Sequence, residues 1–175
     1  FIMPKFFYPE KIPEDALELK IGYDQMHHMR DVLRIKPGDA IDISDGFGTE
    51  FICEVKFYDK EFAILKVVSK KESNSEPSYR VVLYQGLVKS DKIELVIQKG
   101  VELGVSEIVP VICNRCVIKF KDEGDIAKKV SRWNKIAMEA AKQSGRGIIP
   151  EVKSPLKFED ALYKMKNSEV AFIPW

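Results

Sequence analysis

The sequence has no apolar run near the roughly 18 residues that a membrane-spanning helix requires, so no segment is expected to cross a bilayer. No basic, apolar, small-residue leader opens the chain. Cysteine is scarce and odd in number, three in 175 residues, which argues against a secreted disulfide scaffold. Histidine is scarcer still, with only His27 and His28. No Gly-x-x-x-x-Gly-Lys-Ser/Thr or Gly-x-Gly-x-x-Gly occurs, and no serine sits in a nucleophile elbow. Nucleoside-triphosphate hydrolysis and serine-hydrolase chemistry therefore have no support. Net charge is only +1, while 45% of residues are apolar and 10% aromatic, which excludes disorder. The expectation is a soluble cytoplasmic protein with one large domain or two small ones.

The small net charge hides an asymmetry. Residues 1–72 carry 11 Lys and Arg against 14 Asp and Glu, whereas residues 73–150 carry 13 against 9. Between Arg115 and Arg146 the count is nine basic to four acidic. A local positive field on a near-neutral chain suits a polyanion such as nucleic acid, or it is a solvated helix face.

The stretch Lys70-Lys71-Glu72-Ser73-Asn74-Ser75-Glu76-Pro77-Ser78 contains no apolar residue and divides the chain into 1–72 and 73–175. Before it, short alternating or β-branched runs at 17–21, 40–44, 50–57 and 61–69 predict strands, with turns at Pro37-Gly38-Asp39 and Asp45-Gly46. One helix, Asp24 to Leu33, would place Met26, Met29 and Leu33 on one face. Strands this dense suggest a small closed or half-closed barrel. After the boundary, strand and helix alternate. Buried strands are predicted at 80–87, 105–113 and 170–173. Helices are predicted from Asp91, capped by that residue with Glu94 at N3, and over 125–144 and 159–166. The inner stripe of the long helix is Ile126, Val130, Trp133, Ala137 and Ala140. The fold class is α+β in two domains, a β-barrel followed by an α/β domain with a mainly parallel sheet. The apolar run ending at Trp175 leads us to expect that the natural chain continues, while Met3 reads as its first residue.

Cys113-Asn114-Arg115-Cys116 is a C-x-x-C motif, but no second pair completes a zinc site. It also follows a strand rather than opening a helix, where a thiolate would be stabilised. It reads as two ordinary cysteines flanking Arg115, and no metal is expected. His27 and His28 point about 100° apart on a helix and cannot act as a pair. Three basic clusters remain: Arg30 with Arg34, four apart and hence on one helical face; Lys89, Lys92 and Lys99; and Arg132 to Arg146. Together they favour phosphate contacts.

Taken in order, the segments HHMRDVLRIKPGD, DGFGTEF, LVKSDKIELVIQKGVELGVSEIVPVICNRCV and RWNKIAMEAAKQSGRGIIPEV resemble the ribosomal RNA small-subunit methyltransferase E family. The resemblance covers nearly the whole chain. It implies a PUA-like barrel over residues 1–72 and a SPOUT α/β methyltransferase domain over 73–175. It also implies a homodimer and a trefoil knot in the family's C-terminal part. The implied activity is S-adenosylmethionine-dependent methylation of N3 of one uridine, U1498, in 16S ribosomal RNA on the small subunit. The family's Gly-Pro-Glu-Gly-Gly loop and Ile-Leu-Arg…Glu-Thr-Ala segment do not occur here. Only Phe172, Ile173 and Pro174, with Trp175 beside them, align with the methyl-donor site.

Uridine N3 is protonated near neutral pH and lies on the pairing edge, so the base must be unpaired and the proton must leave. Cationic donors beside the developing O2/N3/O4 charge are then required. Arg115, Gln143 and Arg146 are the candidates for that role, and Glu102 or Glu139 would have suitable chemistry for a base. Arg30, Arg34, Lys89, Lys92, Lys99 and Arg132 are assigned to RNA binding. A non-catalytic RNA- or ribosome-binding protein is the alternative, and a thiol redox or metal protein a more distant one.

Overall fold

The structure, a computed structural model, describes residues 5–114, 116 and 119–173, apart from the Ser90 side chain. Its contacts divide the chain into two units. Unit 1 is Phe1–Glu76 with a return segment, Gly145–Ile149, and unit 2 is Pro77–Ser144 with Pro150–Trp175. The return segment is a feature that a linear division at 72/73 does not contain.

In unit 1, β1 (Lys5–Phe7), β2 (Glu18–Gly22), β3 (Ala40–Ser44), β4 (Thr49–Tyr58) and β5 (Phe62–Glu72) form one sheet in the order β1-β3-β4-β5-β2. Alternation explains β4, where Phe51, Cys53 and Val55 are buried on one face. Register shifts between Ile52 and Cys53 and between Val55 and Phe57 mark bulges that bend this hairpin. Among the described residues β1 and β2 do not pair, so the sheet is left open at that seam. Met26 and Met29 close its core with Ile21, Ile41, Ile43 and Leu65.

The predicted helix at 24–33 changes pitch. Residues Tyr23–His27 form an α-helix, α1, and His28–Val32 continue as a π-helix, with the Leu33 amide donating to His28 O at 3.0 Å. The wider turn swings Leu33 off the Met26/Met29 stripe, and Leu33 is exposed. Arg34 lies beyond the helix at φ 56°, so Arg30 and Arg34 do not share a helical face, contrary to the four-residue spacing.

The return segment is stitched into unit 1 through its backbone groups, which meet both main-chain and side-chain partners. Ser44 Oγ donates to Gly147 O at 3.1 Å, the Gly48 amide to the same oxygen at 3.2 Å, and the Ile149 amide to Gly46 O at 3.1 Å. A Cβ on Gly147 would stand 2.2 Å from the Cβ of Ser73, so only glycine permits this approach.

In unit 2, β6 (Val82–Gly86) pairs in parallel with β7 (Glu107–Ile112). The other side of β7 is shared by two short parallel segments, β8 (Glu151–Val152) near its start and β9 (Leu156–Lys157) at its end. β6 is half-buried throughout rather than fully buried. The helices are α2 (Ser90–Glu102), α3 (Glu123–Ser144) and α4 (Phe158–Met165). α2 packs against α3, whose Trp133, Ala137, Ala140 and Ala141 are buried. Ile126 and Val130 are only half-buried. The Asn134 side chain acts as a short strand neighbour for β8, donating to Val152 O and accepting from the Val152 amide, each at 2.9 Å.

Two sequence expectations are corrected here. Asp91 does not cap α2, because Lys89 occupies the cap position without a side-chain hydrogen bond and Glu94 turns to α3 instead. Residues 170–173 form no strand: they pair with no described strand, although β6 has an unpaired edge, and Phe172 and Ile173 are 84% and 62% exposed. Among the described residues no helix is long and apolar enough to cross a membrane.

Candidate nucleic-acid interface

Unit 1 presents its basic group where α1 passes into the π-helix. Arg30 donates through Nε and Nη2 to the two Asp31 carboxylate oxygens, both at 2.9 Å. That contact holds the Asp31 carboxyl below, and the Arg30 guanidinium above, its ordinary value. His27 reaches the same carboxylate at 3.4 Å, and the Tyr23 and His27 rings lie 6.0 Å apart. Arg34 is exposed and has no ion pair among the described residues.

In unit 2, α2 and α3 position the other two clusters. Lys89 and Lys92, at the start of α2, are exposed and make no ion pair among the described residues. Lys99 donates to Glu102 Oε2 at 2.6 Å, while Gln98 Nε2 donates to Glu102 Oε1 at 3.0 Å. Both Glu102 oxygens are therefore engaged, and the Lys99 contact leads in holding the carboxyl below its ordinary value. Arg132 of α3 grips Glu94 of α2 in a fork, Nε to Oε1 at 2.7 Å and Nη2 to Oε2 at 2.9 Å. Between the two helices lies a groove of about 410 Å³. Glu94 and Gln98 line it from α2, and Arg132, Lys135, Glu139 and Gln143 from α3, over Ile136 and Ala140. Glu139 is engaged by Lys142 at 2.8 Å, which leaves Lys135 as a lining cation with no carboxylate partner among the described residues.

The predicted catalytic residues fare differently. Arg115 lies outside the described residues, as does Pro174. Gln143 lines the groove on the last turn of α3. Arg146, expected beside it, belongs to unit 1, where it is 4% exposed and its guanidinium grips the Glu76 carboxylate. Phe172 and Ile173 are exposed and outside any strand.

Sequence reading singled out neither Gln98 nor the Glu94–Arg132 link as part of a site. The helical spacings 94/98 and 132/135/139/143 were legible as faces, but which faces meet depends on tertiary packing.

Cys113 and Cys116 lie in a turn after β7, with the Cys116 amide donating to Cys113 O at 3.0 Å. Burial pushes the Cys113 thiol up, and Cys53 is pushed up to about 12 by its own burial. Among the described residues no cluster of three or more His, Cys, Asp or Glu could hold a metal ion. Alkylation of Cys113 at pH 7 is therefore expected to be slower than that of free cysteine and to keep rising through pH 9. Faster alkylation at pH 7 would restore an activated-thiol role.

The comparisons with known proteins divide the chain linearly, with the return segment 145–149 inside the second match. Residues 21–68 match the family model described as an RNA methyltransferase PUA domain, and residues 74–175 match the RNA methyltransferase domain. The Bacillus subtilis ribosomal RNA small subunit methyltransferase E is 34% identical over 162 residues, covering 93% of this chain and 63% of that protein. The Aquifex aeolicus protein of the same name is 31% identical over 157 residues, covering 89% of this chain and 65% of its own length. This chain thus spans slightly less than two thirds of these relatives. A crystal structure of the Neisseria gonorrhoeae enzyme of that name, bound to S-adenosyl methionine, superposes with a TM-score of 0.80 at 30% identity, covering 94% of this chain and 66% of that one. With both of its halves matched, this chain belongs to the ribosomal RNA small subunit methyltransferase E family.

Proposed function

We propose that this chain serves S-adenosylmethionine-dependent methylation of 16S ribosomal RNA within the small subunit, at N3 of uridine U1498. The protein would act in the cytoplasm as a homodimer whose trefoil knot lies outside the described elements. The single observation that carries the reading is the match of both units to RNA methyltransferase models over residues 21–68 and 74–175. The family's relatives include a structure with the methyl donor bound. Lys89, Lys92 and Lys135 of unit 2 and, separately, Arg34 of unit 1 make no ion pair among the described residues and are suited to RNA phosphates.

S-adenosylmethionine supplies the methyl group when bound. Phe172 and Ile173, exposed beyond α4, with Pro174 next to them in sequence, are the residues of this chain proposed to contact the donor. What this chain contributes is hold on the RNA. Lys89 and Lys92 would take phosphates directly, whereas Arg30, Lys99 and Arg132 must share their charge with Asp31, Glu102 and Glu94. Removing one direct phosphate contact should reduce the salt slope of RNA binding by about 1, with Lys92→Ala changing it more than Lys99→Ala. Equal slopes for the two variants would overturn that ranking. For proton removal, neither Glu102 nor Glu139 is free of a lysine partner, so neither is assigned as the base. Arg115 and Gln143 stay the candidates for stabilising the developing oxygen charge.

The test is to incubate unmethylated small subunits with the complete protein and S-adenosylmethionine, then read reverse transcription for a stop. An N3 methyl blocks base pairing, so a donor-dependent stop at one uridine is the expected result. Tight, salt-dependent subunit binding without a stop would leave an RNA-binding protein and overturn the methyltransferase reading.

A further inference from the structure

We infer that unit 1 carries a stacking platform for one unpaired RNA nucleotide, built by the exposed rings of Tyr23 and His27 with Arg30 beside them. The inference rests on the RNA reading above. It assigns no base preference, since every base has a flat π-face. Tyr23 opens α1 and His27 follows four residues later, which puts both on one face of the helix. Their ring centroids are 6.0 Å apart and the ring planes are inclined by 35°. Tyr23 is 54% exposed, and the His27 side chain is 51% exposed. Gly22, just before Tyr23, adds no side chain, and a Cβ placed on it would meet nothing within 4 Å beyond its chain neighbours. The core-facing stripe of this stretch is taken by Met26 and Met29, so the two rings serve no core.

Four side chains close into one group. His27 Nε2 lies 3.4 Å from Asp31 Oδ2, and Arg30 spans both Asp31 oxygens at 2.9 Å. Asp31 leads in raising the Arg30 guanidinium above its ordinary value, and the Tyr23 hydroxyl adds to it, which sets Tyr23 on the Arg30 side of the group. Asp31 takes Nε and Nη2 of Arg30, while Nη1 has no hydrogen bond among the described residues. A guanidinium carries five N–H donors, so Nη1 remains for a phosphate oxygen. Asp31 holds the guanidinium and the imidazole at one carboxylate and is a positioning residue. Single-stranded RNA is bound through this chemistry, with splayed bases stacked on tyrosine, histidine or arginine planes and phosphates on cations. A base stacked here has its pairing edge free of the rings, so the platform holds the strand without selecting its sequence.

The experiment titrates this chain with a short single-stranded oligouridylate and with an abasic ribose-phosphate strand of equal length, and follows side-chain ring protons by NMR. The oligouridylate should move the Tyr23 and His27 ring signals upfield through the ring current of the stacked base, and the abasic strand should not. Tyr23→Ala should weaken oligouridylate binding about tenfold with the salt slope unchanged, because it removes a stack and no phosphate contact. Tyr23→Phe should bind like the unsubstituted chain. Tyr23→Leu keeps an apolar neighbour for His27 on the helix and should be as weak as Tyr23→Ala. Full binding by Tyr23→Leu would mean that the ring only props α1, and would overturn the platform. So would equal ring shifts with the abasic strand, no ring shift with the oligouridylate, or undiminished binding in Tyr23→Ala. A loss in Tyr23→Ala confined to intact small subunits would mark a protein contact and overturn it as well. Methyl transfer is measured separately on small subunits. A stacking signature without a reverse-transcription stop would fail the proposed function alone, and a stop without the signature would fail the platform alone.

Discussion

Replacing Glu76 by alanine is expected to cost about 1–3 kcal/mol of local stability in unit 1, the range for leaving partly buried hydrogen-bonding groups without their charged partner. The Glu76 carboxylate is the hub of the return segment. It accepts from Arg146 through Nε, at 3.4 Å, and through Nη2, and from the Gly147 and Ile148 amides, both at 3.0 Å. The Arg146 side chain is 5% exposed, so its contact with the carboxylate is largely shielded from water. Burial pushes the Glu76 carboxyl up, but Arg146 and the Ile148 and Gly147 amides outweigh it and hold the group below the ordinary value. Hydrogen exchange at Ile148 and Ile149 reads the effect directly, because local opening of the segment exposes those amides. Glu76→Gln keeps an acceptor for the two amides and should lose less. A loss below about 1 kcal/mol in Glu76→Ala would mean that the Ser44 and Gly48 contacts hold the segment without the pair.

The same pair separates two roles for Arg146. As an anchor, Arg146→Ala should lower stability and methyl transfer together. As a group stabilising charge on the reacting base, it should lower methyl transfer in a chain whose exchange protection at Ile149 is unchanged. Its contact with Glu76 weights the first outcome, while Gln143, on the surface of α3, carries no such structural load.

Local chemistry explains which features were legible in the sequence. The alternation of Phe51, Cys53 and Val55 marks a strand with one buried face, and the stretch 70–78, which lacks apolar residues, contains the break between Glu76 and Pro77. The long helix shows through the spacing of Trp133, Ala137 and Ala140. Three features did not show, one because it is a local change of pitch and two because they depend on distant partners. The π-helix at His28–Val32 is a change of pitch within a run that reads as ordinary helix. The β8 and β9 segments are two residues each, and β8 is fixed by Asn134 from α3. The return of 145–149 to unit 1 depends on Glu76, about 70 residues earlier in the chain. Motif order across the chain identified the family, whereas the site needed the packing of α2 on α3, which no single motif encodes.

A second large effect is expected in acid. Glu50 of β4 is 10% exposed at its side chain and gathers three donors. Lys5 Nζ reaches Oε1 at 2.7 Å, Ser73 Oγ reaches the same oxygen at 2.6 Å, and Lys71 Nζ lies 3.2 Å from Oε2. Burial alone would raise this carboxyl, but the Lys5 and Ser73 hydrogen bonds overturn that and lower it from 4.5 to about 2. A depressed folded-state value stabilises the fold above the unfolded-state value, and the contribution is lost as pH falls from about 4.5 towards 2. The shift corresponds to about 3 kcal/mol. Urea unfolding of unit 1, followed at pH 7, 4.5, 3 and 2, should show this loss in the unsubstituted chain. In Glu50→Gln the acid-dependent component should vanish, with the cost present already at pH 7. Parallel pH curves for the two proteins would place the acid sensitivity elsewhere. Lys5 also donates to Gly145 O at 3.0 Å, and Ser73 packs where a Cβ on Gly147 would stand. Protonating Glu50 should therefore also loosen the return segment, so the protection factor of Ile149, taken against its intrinsic exchange rate at each pH, is expected to fall over the same range in the unsubstituted chain but not in Glu50→Gln.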